Sequence, residues 1–218
     1  METPARKLEE LRGRIDALDE RLAELLEERI AIVEQVAALK KEHWPSLCHI
    51  RSGREGQMHR KIAERFKHSK FPAKVALFLW RQIIGASTHA ESPLVIAATS
   101  EEQAELARDY FGLSARIQEV ASLDAAFTAI RQQQCTILLA APTDLPVIRA
   151  IAPKLKIFAA LPLVTDSSPS TLALAEIEPE PSGDDISYYL REGRIETQDG
   201  FAPDAQWLGA HPRPITLE

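Results

Sequence analysis

The chain contains no asparagine and therefore no N-glycosylation sequon. Its two cysteines, Cys48 and Cys135, lie far apart, which argues against a disulfide framework and for a reduced, cytoplasmic setting. No apolar run approaches the roughly 20 residues of a membrane-spanning helix, so no membrane association is expected. Residues 1–14 are charged and lack the apolar stretch of a secretory signal. There is no Gly-rich phosphate loop, no His-Glu-x-x-His and no Cys-x-x-Cys. The six histidines (His43, His49, His59, His68, His89 and His211) show no metal-ligand spacing, and no Ser/His/Asp set emerges.

What remains is an ordinary globular composition, 45% apolar and 27% charged over 218 residues, enough for one medium or two small domains. Charge is unevenly placed. Residues 1–91 hold 17 Lys+Arg and 14 Asp+Glu, and residues 92–218 hold 9 and 18. A net of +3 in the first part is too mild for a nucleic-acid surface.

Residues 5–42 read as one long helix. Leu8, Leu11, Ile15, Leu18, Leu22, Leu25, Ile32, Val36 and Leu39 follow steps of three and four, with one gap of seven. Pro4 suits a first turn. Such a helix is about 57 Å long, too long to bury its stripe in a small monomer, so it needs a partner helix, most simply from a second copy. A loop is expected at 43–53, then helices at 54–68 and 73–90, making a three-helix unit. From residue 94 the pattern changes. Strands are expected at 94–98, 116–120, 136–140 and 156–161, alternating with helices at 100–111, 122–133 and 145–152, as in a parallel α/β layer. Residues 172–177, 186–190 and 194–197 look like further short strands. The expected fold is α+β with two domains, residues 1–92 all-α and residues 93–218 a small α/β domain.

With Leu8 at heptad position a, the a positions hold Leu8, Ile15, Leu22, Arg29 and Val36, and the d positions hold Leu11, Leu18, Leu25, Ile32 and Leu39. One arginine thus sits in an apolar seam. Something anionic should meet it, either a neighbouring Glu in a structural ion pair or a ligand. Lys40 follows 11 residues later, close to three full turns, and projects from nearly the same face about 16 Å away. Arg54 and Glu55 open the next helix. Arg12 precedes Arg29 by 17 residues, about 25 Å along the axis, and reaches the same small ligand only from a partner chain. Converging cations suit a small ligand with several carboxylates. Ser87 and Glu91 form an i,i+4 pair that either faces a polar ligand or marks an exposed helix end.

The stretch Leu11-Arg12-x-x-Ile15-Asp16-x-x-Asp19-x-x-Leu22-x-x-Leu25-Leu26-x-x-Arg29, followed by Val33, Val36, Lys40, Arg54-Glu55 and Trp80-Arg81-Gln82-Ile83-Ile84-x-x-Ser87, closely resembles the all-helical (AroQ-class, type II) chorismate mutases. The resemblance covers residues 5–92. It implies an intertwined homodimer that converts chorismate to prephenate in aromatic amino acid biosynthesis, without cofactor or metal. It also implies that Arg29 and the partner copy's Arg12 grip the two carboxylates and that Lys40 donates to the ether oxygen. Arg54 adds a cation, Glu55 and Ser87 hold the ring hydroxyl and nearby carboxylate, and Glu91 lies near the ether oxygen.

Three positions depart from the pattern. Glu91 stands where bacterial members often have Gln. Arg51 replaces a common Asp, so that one hydroxyl contact is lost or Arg51 acts as a gate. The Lys40-to-Arg54 loop is about two residues longer than usual, which makes Arg54 the least secure placement.

Residues 94–218 weakly resemble part of a prephenate dehydratase domain, through the strand at 94–98, the segment 107–112 and residues 122–130. That family's Thr-Arg-Phe catalytic motif is absent, and the segment is too short for two lobes. A degenerate module is expected, bracing the dimer, binding an aromatic amino acid effector or docking a partner enzyme. Asp184-Asp185 reads as a solvated turn, not a metal site. Rival readings are a bifunctional mutase–dehydratase, a non-catalytic dimerisation module and a different chemistry on chorismate, such as pyruvate release.

Overall fold

The computed structural model describes residues 3–43 and 50–217. The expected loop at 43–53 lies mostly outside these residues, as do Cys48 and His49. The chain divides into two compact units, Met1–Pro45 and Ser46–Glu218.

The first unit is a single helix, α1 (Pro4–His43). Proline occupies its first position, where a missing N–H costs nothing, and Thr3 Oγ1 accepts the Arg6 amide at 3.4 Å. Lys40, Lys41 and His43 close the last turn, favourably placed at the negative end of the helix dipole. No residue of α1 is buried. The seam residues Leu8, Leu11, Ile15, Leu18, Leu22, Leu25, Ile32 and Leu39 stay exposed, Leu22 by 59%. Fully covering a leucine side chain stabilises by about 1.5–3 kcal/mol, so the uncovered stripe is a large unused driving force for association.

The second unit begins with α2 (Ser52–Phe66) and α3 (Ala73–Glu91), and then alternates. Its elements are β1 (Val95–Ala98), α4 (Glu101–Phe111), β2 (Arg116–Glu119), α5 (Leu123–Arg131), β3 (Ile137–Ala140), α6 (Leu145–Ile151), β4 (Lys156–Leu161), β5 (Thr171–Ala175), β6 (Asp185–Arg191), β7 (Arg194–Asp199) and β8 (Trp207–Pro212). Local signals set several boundaries. Ser100 and Ser122 cap α4 and α5 by accepting the amides of Gln103 and Ala125, and Gly112 ends α4 at φ +83°.

The strands form one eight-stranded sheet in the order β2-β1-β3-β5-β4-β8-β6-β7. It is mixed, which corrects the expectation of a parallel layer. β1 pairs in parallel with β2 and β3, and β4 with β8, while β5 and β6 run antiparallel to their neighbours. The reason is connection length. Residues 162–170 between β4 and β5 are too few for a crossover helix, so the chain returns antiparallel. β6 and β7 join through Glu192 and Gly193, both at positive φ, the geometry of a tight hairpin turn. β8 was not expected, because Trp207-Leu-Gly-Ala-His-Pro212 lacks alternation and carries Gly and Pro.

Side chains alternate across the sheet. Ile96, Ala98, Ile137 and Leu139 pack under α4, and Ala97, Leu138 and Ala140 pack on the other side with Phe127 of α5 and Ile148 of α6. α2 and α3 lie flush against this α/β layer. Ile62, Ala76 and Leu77 share a cluster with Ile215. Gly85 of α3 rides directly on the Phe111 carbonyl, and Gly53 of α2 on the Pro181 carbonyl; a Cβ at either position would overlap those atoms. A Gly85→Ala substitution should therefore lower stability by about 1–3 kcal/mol, read as a reduced thermal midpoint, despite alanine's better helix propensity.

His211, on β8, is fully buried between the Pro212 carbonyl and the Tyr188 hydroxyl. Burial pushes its pKa from 6.5 down to about 4, outweighing the help of the Pro212 carbonyl. His59 shifts in the same direction, again chiefly through burial. The unfolded chain thus binds more protons than the folded one between about pH 6.5 and 4, and stability falls as pH drops through that window. For His211 alone the loss approaches about 3 kcal/mol. The thermal midpoint should fall between pH 7.5 and 5, with a shallower slope in a His211→Gln variant; an unchanged slope would refute the assignment.

Candidate active site

The expected site residues divide between the two units. On α1, Arg29 projects from the apolar seam, and Lys40 lies three turns further along nearly the same face, about 16 Å away. Arg12, two-thirds of the way back towards the N-terminus, sits about 25 Å from Arg29 and about 100° around the helix. Arg12 makes a loose, exposed contact to Glu9 at 3.8 Å, which contributes little.

In the second unit, α2 sends its consecutive residues Arg54 and Glu55 to different surroundings. Arg54 lines an open pocket of about 540 Å³ with Arg51, Gln57, Met58 and Lys61, walled by Glu180 and Pro181. This face of α2 is cationic. Arg51 donates through Nε to both Glu180 oxygens, at 3.1 and 3.2 Å. Arg51, where the sequence resemblance leads one to expect an aspartate, is therefore ion-paired with the loop before β6.

Glu55 turns instead towards α3. Its Oε2 accepts from Arg81 Nη1 at 2.6 Å, and the pair is largely buried, Arg81 3% and Glu55 11% exposed. Arg81 is held on every side. Its Nε donates to the Tyr110 carbonyl, its guanidinium lies 4.0 Å over the Tyr110 ring, and Nη1 meets His59 Nε2 at 3.2 Å. Arginine only donates, so His59 Nε2 is the acceptor and the imidazole is neutral. Burial, then the charges of Arg81 and Arg60, keep His59 well below its ordinary pKa. The Tyr110 hydroxyl is pushed up to about 12 by burial.

Ser87 and Glu91 stand one turn apart near the end of α3. Ser87 is buried, and its Oγ donates to the Ile83 carbonyl at 2.7 Å; Glu91, the last helical residue, is half-buried. Ser87 thus has a backbone partner within its own helix.

Sequence reasoning missed the roles of Arg81, His59 and Tyr110. Arg81 carried the signal that singled out Arg29, a cation inside an apolar helical run from Val75 to Ile84. The acidic pair also differs from expectation. Asp185 is not a solvated turn: it is 3% exposed and accepts the amides of Ser182 at 2.8 Å and Gly183 at 3.2 Å. Asp184 pairs with Arg213 at 3.0 Å.

Residues 11–92 match the family profile described as chorismate mutase type II. The match spans both compact units. The chain is 31% identical over 132 residues to a bifunctional chorismate mutase/prephenate dehydratase of Stutzerimonas stutzeri, covering 58% of this chain. It is 28% identical over 137 residues to a protein of the same description from Aquifex aeolicus (strain VF5), covering 59% of this chain. Alignments of that extent cannot fit within the first 92 residues, so both reach into the α/β region. The chain spans about a third of the length of these relatives, 36% of each. No solved structure matches the chain. Residues 11–92 thus resemble a chorismate mutase type II domain and are followed by a mixed-sheet α/β region.

Proposed function

We propose that the protein rearranges chorismate to prephenate. The observation that carries this reading is the family match over residues 11–92; the cations Arg12, Arg29, Lys40 and Arg54, at the positions the sequence resemblance implies, support it. The reaction is unimolecular and pericyclic. It needs no nucleophile, but it does need a dianion held in a compact conformer and negative charge stabilised on the breaking ether oxygen. Arg29 grips one carboxylate and Lys40 donates to the ether oxygen. Arg54 supplies a further cation, and Glu55 and Ser87 meet the ring hydroxyl and nearby carboxylate. Arg12 acts from a second copy of the chain, an assignment supported by its distance from Arg29 and by the exposed seam of α1. Residues 1–92 form the functional segment and residues 93–218 an accessory region that braces it or takes an effector; the cytoplasm is the expected setting.

A second reading, a bifunctional mutase–dehydratase, is favoured by the relatives' alignments extending into the α/β region. Against it stands the lack of a Thr-Arg-Phe motif in this sequence. One assay separates the readings. Incubation with chorismate should give prephenate, with neither pyruvate nor phenylpyruvate. Phenylpyruvate would establish the second activity, and pyruvate a different chemistry.

An Arg29→Ala variant should lose nearly all mutase activity, at least about a hundredfold in kcat/KM for a lost charge-assisted contact, while its circular dichroism and oligomeric state stay unchanged. Retained activity would refute the assignment of Arg29. Glu91 generates a further prediction. A carboxylate only accepts hydrogen bonds, whereas a carboxylic acid donates. A Glu91→Gln variant, whose side-chain amide donates at every pH, should therefore turn over chorismate faster than wild type at neutral pH; an unchanged kcat/KM would remove Glu91 from the ether oxygen.

A further inference from the structure

We propose that Arg81 is a positioning residue, clamped by Tyr110 of the α/β region, that fixes the Glu55 carboxylate for the mutase reaction. This rests on the functional reading above and gives the second half of the chain a defined part in it.

The argument starts from desolvation. An arginine 3% exposed stays charged, so its surroundings must replace the hydration of the whole guanidinium. Four groups from two neighbouring helices contribute: the Glu55 carboxylate and His59 Nε2 from α2, and the carbonyl and ring of Tyr110 from α4. Two of these come from beyond residue 92. The guanidinium is planar, so a carbonyl on Nε and a ring on its face together fix where Nη1 points. Nη1 is the atom that holds Glu55.

The clamp is itself seated on a rigid contact. Gly85, one turn after Arg81, lies against the Phe111 carbonyl, and Gln82 Oε1 accepts the Leu113 amide at 3.0 Å. α3 therefore cannot slide or roll on α4 without breaking both. Glu55 is held through one oxygen only. Oε2 is taken by Arg81, and Oε1 makes no hydrogen bond among the described residues. The carboxylate is thus oriented by the protein and still able to accept from a substrate hydroxyl. His59 is neutral, so it completes the shell of Nη1 without competing for Glu55 as a cation.

The test is a double-mutant cycle in the full chain, with chorismate turnover and the thermal midpoint both measured. The variants are Arg81→Met, Tyr110→Leu, Tyr110→Phe and Glu55→Gln, and each of the first two combined with Glu55→Gln. Arg81→Met and Tyr110→Leu should each lower kcat/KM about tenfold or more. Neither should lower it further once Glu55 is Gln, because both act through that carboxylate. Tyr110→Phe keeps the ring and the carbonyl and should stay within about twofold of wild type. Losses that multiply in the double variants would overturn the proposal, as would wild-type kinetics in a folded Arg81→Met. The midpoint separates a variant that has lost only orientation from one that has unfolded. Where Arg81→Met alone unfolds at the assay temperature, Arg81→Lys takes its place, keeping the charge without the fork. A wild-type protein that does not turn over chorismate sinks the functional reading and this proposal with it. An active wild type with multiplicative losses sinks the proposal alone.

Discussion

The buried guanidinium of Arg81 is the constraint around which the second unit is arranged. A cation removed from water is tolerated only where oxygen and π-electron partners surround it in the right directions. Meeting that requirement brings α2, α3 and α4 to one point, with Glu55, His59 and Tyr110 as the partners. The glycine contact at Gly85 and the packing of Ile62, Ala76 and Leu77 against Ile215 then follow as close approaches that the arrangement allows. α2, α3 and the sheet behind them are thus one packed body.

Much of this was legible in the sequence, and the reasons are specific. α1 was readable because a three-and-four spacing, interrupted once at Arg29, runs from Leu8 to Leu39 without an interior proline. The first strands and helices of the α/β region were readable because Ser100, Gly112 and Ser122 mark their ends with cap chemistry. The mixed sheet was not, since strand direction depends on whether a connection has room for a crossover, which apolar alternation does not encode. β8 was hidden by its glycine and proline.

The candidate site shows the same division. Arg29 stands out because its neighbours form a periodic stripe that a charge visibly interrupts. Arg81 interrupts a stripe as well, but its partners come from 26 residues upstream and 29 downstream, a pairing that no local pattern announces. Arg54 and Glu55 illustrate the limit most directly. Adjacent in sequence, they differ by about 100° around α2, and so one lines a cationic pocket while the other is drawn into the helix interface.

α1 carries a last consequence. A solitary helix with no interior of its own draws its persistence from whatever closes over its greasy rows, not from its own hydrogen bonds. The separation of Arg29 and Lys40 is therefore a ruler only as stiff as the cover those rows find, whereas the sheet has a core of its own.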